Sequence, residues 1–293
     1  MEKEHIIILE NRGLISITGA DAKGYLQNII TNDINKVSTT NSIFSALLSP
    51  QGKYLFEFFI IKSGNGYYLD CDNKVTEELL NNLFKYKLRS EVQIKDLSKQ
   101  FVIGVISLDK FKEIQNLEKN KNSTILYRET PIFIDSRKKE LGARILSNLE
   151  KLYLTIKKLN LKIADIKIYF NDAYHQGIPI KGLENLKEQL FGLEANFEEL
   201  NGIDFKKGCY VGQENTARMK LKNKIRRRLL PIKAEGKINI GSEIMFNNNK
   251  IGKVLINDPY PFALIKMFDP DFSEFQKAEL LIDNNKARII NNY

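Results

Sequence analysis

The residues best suited to chemistry in this chain lie in the stretch 205–218, around the thiol of Cys209. Two lysines, Lys206 and Lys207, precede it, and a helix is expected to start near Gly212. Nearby cations and a helix N-terminus both favour thiolate over thiol, and the thiolate is the form that attacks electrophiles and binds metals. Gly208 and Gly212 flank the cysteine and allow a partner or ligand to approach the backbone closely. Two readings stand on this chemistry alone. Cys209 is an accessible, activated cysteine, or it is one more small buried residue, as most free cysteines are.

The remaining candidates are sparse. Cys71 lies between Asp70 and Asp72, acids that oppose a thiolate, and is expected to be inert. With two cysteines and two histidines, His5 and His175, the chain cannot build a disulfide framework or a four-ligand zinc site. No resident metal is expected. An iron–sulfur cluster needs about four thiolate-type ligands, so Cys209 can share a cluster with a partner or touch one transiently, and cannot hold one alone. His175 reads as structural. Asp33, in Thr31-Asn32-Asp33, reads first as a turn former, and Arg218 reads as the partner of a nearby carboxylate.

Composition sets the frame for these residues. The chain has 293 residues, 43% apolar and 28% charged, which is ordinary for a globular protein of two domains. No apolar run approaches the ~20 residues of a membrane span, and the start, Glu2-Lys3-Glu4, is unlike a secretory signal. A bacterial cytoplasm is the expected location, consistent with the low cysteine count. The net charge of +9 attracts anionic partners without naming one. Its densest run is Lys220, Lys222, Lys224, Arg226, Arg227 and Arg228. A solvated linker is the ordinary reading and an acidic partner the functional one. A nucleic-acid groove ranks last, because aromatics for base stacking are missing from the run.

The elements that must position Cys209 are mixed. Residues 15–18 alternate as a half-buried strand, and Asp21 can cap a helix with Tyr25, Leu26, Ile29 and Ile30 on one face. Strands at 44–48 and 54–61 are joined by Ser49-Pro50-Gln51-Gly52, which suits a type I turn. A further strand at 67–70 leads to a helix bearing Val75, Leu79, Leu83 and Tyr86. Strands at 101–107, 124–127 and 132–135 precede helices at 149–159 and 166–176, the last ended by Gly177 and Pro179. From residue 229 onward only short strands read, at 229–233, 244–246, 250–256, 263–267, 279–282 and 287–290, separated by Asn-, Asp- and Pro-rich turns. The irregular alternation predicts an α+β fold, and the C-terminal run predicts a small β-barrel. The domains are expected at 1–222 and 223–293.

The motif Lys207-Gly208-Cys209-Tyr210-Val211-Gly212-Gln213-Glu214 resembles the hallmark of the YgfZ-type folate-binding proteins of the aminomethyltransferase (glycine-cleavage T-protein) superfamily. Residues 19–33, 47–53, Gly177-Ile178-Pro179, Leu193-Glu194-Ala195-Asn196 and Thr216-Ala217-Arg218 agree in order. The resemblance is weakest over 100–165. Two positions depart from it. The family usually carries an arginine shortly before Gly-Ile-Pro, and a proline where this chain has Gly192. The resemblance implies an aminomethyltransferase-like folate-binding domain, with subdomains around a central tetrahydrofolate-type pocket, followed by the barrel. It implies a folate-binding factor without classical turnover that assists assembly or maintenance of iron–sulfur enzymes, tRNA-thiolating ones included. The implied partners are reduced folate and iron–sulfur assembly proteins or client enzymes. The implied ligand contacts are Asp33, Glu194 (to the pterin), Lys207, Tyr210, Gln213, Glu214 and Arg218, with the basic run for a folate polyglutamate tail and Cys209 as the reactive thiol. A tetrahydrofolate-dependent one-carbon transferase, needing a placed carboxylate rather than a cysteine, is the alternative. An RNA-binding module is the second.

Overall fold

A computed structural model describes residues 1–222 and 225–290. The junction expected at 222/223 and Lys224 of the basic run therefore fall partly or wholly outside the described residues. In chain order the first half contains β1 (His5–Leu9), β2 (Arg12–Thr18), α1 (Ala22–Ile29), β3 (Ile43–Leu48), β4 (Tyr54–Ser63), β5 (Gly66–Asp72), α2 (Thr76–Lys87) and β6 (Gln93–Asp96). Then follow β7 (Val102–Ile106), α3 (Leu108–Leu117), β8 (Thr124–Tyr127), β9 (Thr130–Ile134), β10 (Ala143–Ser147), α4 (Leu149–Lys158), β11 (Lys162–Ile163) and α5 (Ile166–His175). After a long irregular segment come α6 (Gln213–Leu221), then β12 (Arg227–Ala234), β13 (Glu243–Phe246), β14 (Asn249–Ile256), β15 (Phe262–Lys266), α7 (Phe272–Phe275), β16 (Leu280–Ile282) and β17 (Asn285–Ile289).

These strands make three β bodies. One sheet has the order β3-β4-β5-β2-β6, a second β11-β1-β7-β10-β9-β8, and β12-β15-β14-β13-β16-β17 close into a barrel. The chain crosses early between sheets, since β1 belongs to the second and β2 to the first. Each sheet buries one face under helices: Tyr25, Leu26 and Ile29 of α1 and Leu79 and Leu83 of α2 cover the first. Phe111 and Ile114 of α3 and Leu152 of α4 cover the second. The opposite faces meet in one large core with α5 and the segment 178–203. The alternating and short apolar runs of the sequence thus become the α+β fold with a C-terminal barrel that they predict.

Local chemistry explains the joints. Gly52 N–H donates to Ser49 O at 2.8 Å, closing the turn that Pro50 starts. Asp21 differs from expectation: its carboxylate accepts from Glu91 N–H at 2.7 Å and does not cap α1. The barrel is fastened to the body by two latches. Tyr174 donates to Ile232 O at 2.6 Å and stacks on Tyr260. On the other side, Leu229 N–H donates to Glu194 O at 2.9 Å and Asn196 Nδ2 to Leu229 O at 2.6 Å.

Candidate functional site

Cys209 is exposed, and the loop that carries it is pinned on both sides. Helix α1 ends without partners for its last carbonyls, a position where a cation is favoured. Lys207 supplies it, donating from Nζ to Gln27 O (2.8 Å), Ile30 O (2.6 Å) and Asn32 O (3.0 Å). Burial pushes this amine down to about 8, partly offset by Asp33 and Asp204. The Tyr210 ring lies beneath it at 4.9 Å, and burial raises the tyrosine hydroxyl to about 12. Val211 N–H then donates to Asn28 O at 3.2 Å. Gly212 has φ +82°, and a Cβ there would meet Ser49 O at 2.5 Å, so the start of α6 is locked against the β3–β4 turn. Between these anchors Gly208 faces open space and Cys209 faces solvent.

The turn that receives this loop is itself buried. Thr31 Oγ1 donates to Gly202 O at 2.6 Å, Asn32 Nδ2 donates to Phe44 O and Asn201 O at 2.8 Å each, and Asp204 N–H reaches Thr31 O at 3.0 Å. Thr31 and Asn32 therefore dock the segment leading to Cys209, a role the sequence reading did not assign.

A groove of about 1040 Å³ opens beside α6, lined by Gln51, Phe191, Glu194, Asn215, Arg218, Met219, Arg226, Arg227, Lys266, Phe268 and Asp269. Its carboxylate Glu194 is 3% exposed and fully committed: Oε1 accepts from Arg227 Nε at 2.9 Å and Oε2 from Phe191 N–H at 3.0 Å. Among the described residues no carboxylate pairs with Arg218, which differs from the expected ion pair.

The middle of the molecule is built differently. Arg144 NH1 donates to Asp70 Oδ2 at 2.8 Å and Arg12 Nε to Asp70 Oδ1 at 2.6 Å. Arg137 grips Asp135 with two bonds of 3.0 and 2.7 Å. Arg144 NH2 and Arg137 NH2 both donate to Tyr169 Oη, at 2.8 and 3.0 Å, and both guanidiniums lie over the Phe59 ring. Tyr54 Oη donates to Glu57, whose carboxyl is raised by burial. The Arg137 guanidinium beside Asp135 holds that buried carboxyl below its ordinary value. The cavity left among these groups is about 20 Å³, room for about one water.

The sequence-predicted residues sort accordingly. Glu194 and Arg218 come together on the groove. Cys209 is exposed, but it lines none of the cavities described and does not border a central pocket. Lys207 and Tyr210 are buried as anchors of the loop and offer no ligand surface, because the lysine's donors already meet three carbonyls. Asp33 is a turn former, its Oδ1 accepting from Asn35 N–H at 3.0 Å and Gln27 Nε2 at 2.9 Å. Gln213 and Glu214 open α6 and line none of the cavities described. Cys71 is fully buried, and burial raises its thiol to about 12. Among the described residues no group of His, Cys, Asp and Glu is placed to hold a metal, and no helix is long and apolar enough to cross a membrane.

No family model matches the chain. Curated relatives are named iron–sulfur cluster assembly factor IBA57 homologues, mitochondrial. The one from Dictyostelium discoideum is 30% identical over 267 residues, covering 78% of this chain and 62% of that protein. The one from Coccidioides immitis is 31% identical, covering 76% and 55%, and the Mus musculus protein is 28% identical, covering 78% and 66%. This chain thus spans less than two thirds of each of these relatives. Their naming as mitochondrial proteins overturns the expectation of a bacterial cytoplasm. Among solved structures, the glycine cleavage system aminomethyltransferase T from Bartonella henselae matches over 97% of this chain and 83% of its own, with a TM-score of 0.72 and 14% identity. The chain therefore has the aminomethyltransferase T fold, α+β with a closed C-terminal barrel, and its sequence is similar to proteins named for iron–sulfur cluster assembly.

Proposed function

We propose that this chain is an accessory factor for assembling or maintaining iron–sulfur enzymes, and that Cys209 is one thiolate of a cluster shared with a partner protein. The observation that carries the reading is the loop itself: an exposed thiol held on a backbone pinned by Lys207 before it and Gly212 after it. The second cysteine is sealed, so Cys209 is the one accessible thiol among the described residues, short of the roughly four ligands of a cluster. Ligation would replace the thiol proton, released to solvent, by a bond from sulfur to an iron already held by the partner's ligands. No electron changes hands in that step. The names of the similar proteins support the assembly role, and clients that thiolate tRNA belong to the same proposal.

Reduced folate belongs to the same proposal, and its place is the groove of about 1040 Å³ beside α6, where Glu194 and Arg218, two of the contacts the resemblance implies, come together. The middle leaves about 20 Å³ between paired arginines, aspartates and tyrosines, against the several hundred Å³ of an ordinary ligand pocket.

The test mixes the purified chain with a cluster-loaded assembly protein and follows visible absorption and circular dichroism. Wild type and Cys71→Ala are expected to form the shared species, and Cys209→Ser to form none while melting as the wild type does. The same variants score in a deletion strain by the activity of a cluster-dependent tRNA-thiolating enzyme. A Cys209→Ser protein that forms the species and restores that activity overturns the proposal.

A further inference from the structure

A second cavity lies at the end of β4 remote from the Cys209 loop. That strand starts beside the Ser49–Gly52 turn on which Gly212 packs, and runs 10 residues to Ser63, about 30 Å of extended chain. There the first sheet contributes Lys62 and Tyr68, and the second contributes residues of β8, β9 and β10. Together they enclose about 380 Å³, within the range of small-ligand pockets. Hydrogen bonds tie the walls, so the space is preformed. Ser42 and Thr124 share one of 2.9 Å, and Thr124 N–H donates to Thr40 O at 3.0 Å.

The fold has no use of its own for two of the polar groups in this lining. Ser147, at the end of β10, is 3% exposed, and among the described residues its Oγ has no hydrogen-bond partner. Buried hydroxyls are nearly always paired, because an orphan costs stability. Lys62 has no carboxylate partner among the described residues, and its Nζ lies over the Tyr67 ring at 4.6 Å. The other lysine of the lining, Lys151, is paired with Glu129 at 3.3 Å. Two lysines against one glutamate leave the lining a single positive charge in excess. The N-terminus of α4, where Asn148 accepts from Lys151 N–H at 2.8 Å, adds partial positive charge at the same end. Glu150 of that turn lies outside the lining. The remaining wall is apolar: the rings of Tyr68 and Phe101, tilted with centroids 5.7 Å apart, beside Leu146 and Pro131.

We propose that this cavity binds a small carboxylic acid carrying one aromatic ring. The carboxylate goes to the end where α4 begins, accepting from the Ser147 hydroxyl, and Lys62 supplies its charge from the opposite wall. Tyr68, Phe101 and Leu146 take the ring, since aromatic pairs favour tilted and offset contacts of the kind these two rings already make. One carboxylate matches one positive charge in excess, so a monoanion fits where a polyanion does not. The site stands apart from the Cys209 loop and needs nothing from the cluster reading.

The experiment is saturation-transfer NMR on the full chain at low salt with three probes: hydrocinnamate, hydrocinnamyl alcohol and acetate. Hydrocinnamate is expected to bind saturably, and the uncharged alcohol and the ring-free acetate at least about tenfold more weakly, since each lacks half of the recognition. Lys62→Gln should weaken binding. Ser147→Ala should weaken it too without lowering the melting temperature, because no protein partner is lost with the hydroxyl. Leu126→Glu, at an exposed position of the lining, sets a like charge against the ligand. It should reduce affinity at least about tenfold while melting with the wild type, as exposed substitutions do. Arg218→Gln and Cys209→Ser should bind hydrocinnamate unchanged, which separates this cavity from the groove beside α6 and from the cluster proposal. No saturation transfer to hydrocinnamate at millimolar concentration overturns the inference. So does equal affinity for the alcohol, or binding unaltered in both Lys62→Gln and Leu126→Glu.

Discussion

The centre and the rim of this molecule handle charge in opposite ways. In the centre Arg12, Arg137 and Arg144 face Asp70, Asp135 and Glu57, with Tyr169 accepting from two of the guanidiniums and Phe59 beneath them. Every guanidinium there has a partner, and almost no space remains. On the rim Cys209 is exposed, and among the described residues the groove cations Arg218, Arg226 and Lys266 have no carboxylate partner. A matched buried network joins elements of both sheets and α5, and its business is architecture. Unmatched groups on a rigid frame are what a protein keeps for something outside itself. The likeness to aminomethyltransferase T is a likeness of fold.

Removing Arg144 gives the largest effect. Arg144→Met leaves Asp135 and Asp70 each short of a buried partner, and breaking one side of a buried pair costs about 3–5 kcal/mol. Urea unfolding should show that loss, with Arg218→Gln on the rim changing stability by no more than about 0.5 kcal/mol. Equal effects at the two sites would erase the distinction drawn here.

Gly212→Ala comes next. It forces a side chain into φ +82° and against Ser49 O at 2.5 Å, a strain of about 1–3 kcal/mol. Stability should fall by that amount, and shared-cluster formation should fall with it, because the loop loses one anchor. Gly208→Ala, whose Cβ would meet open space, is the control and should do neither.

Lys207 adds a pH signature. Its folded value of about 8 lies below the ordinary 10.5, so between those values the unfolded chain binds more protons than the folded one. Stability should therefore rise with pH across that window, and be lowest, as far as this group is concerned, below about 8. Lys207→Met should remove this rise while costing about 1–3 kcal/mol at neutral pH, from carbonyls left without donors. A wild-type stability that is flat or falling there, unchanged in the variant, would contradict the buried-amine geometry.

The rim was more legible in the sequence than the centre, for a physical reason. Cys209, Gly208, Gly212 and Lys207 act within a few residues of one another, and the barrel strands announce themselves by short apolar runs between turn formers. The central network draws on Arg12, Asp70, Asp135, Arg144 and Tyr169, residues whose pairing exists once both sheets are folded. Periodicity cannot reveal such partners. A signal was present: Arg144 stands between Ala143 and Ile145, and Asp70 between Leu69 and Cys71. A charge inside an apolar strand must find its opposite. Strand β10 went unread because periodicity treats Arg144 inside it as a surface residue. Lys207 reads in the sequence as a cation beside the thiol, and only the fold shows its amine turned to the end of α1.

The smallest expected change in stability, and the sharpest contrast between core and rim, concerns the two sulfurs. Cys71 is fully buried with its Sγ 3.7 Å from Gly13 O, and burial raises its thiol to about 12. Its reaction with an aromatic disulfide reagent requires the first sheet to open, an event whose rate follows local or global unfolding. Cys209 needs no opening at all. One thiol equivalent should therefore react at once in the native protein, and the second only as denaturant unfolds the chain. Cys209→Ser should abolish the fast phase and shift stability by no more than about 0.5 kcal/mol, as for other exposed substitutions. Cys71→Ser should keep the fast phase and lower stability further, because a hydroxyl must then be buried at that site. A native protein in which neither thiol reacts would place Cys209 in a core, and with it would go the case for an iron ligand on this loop.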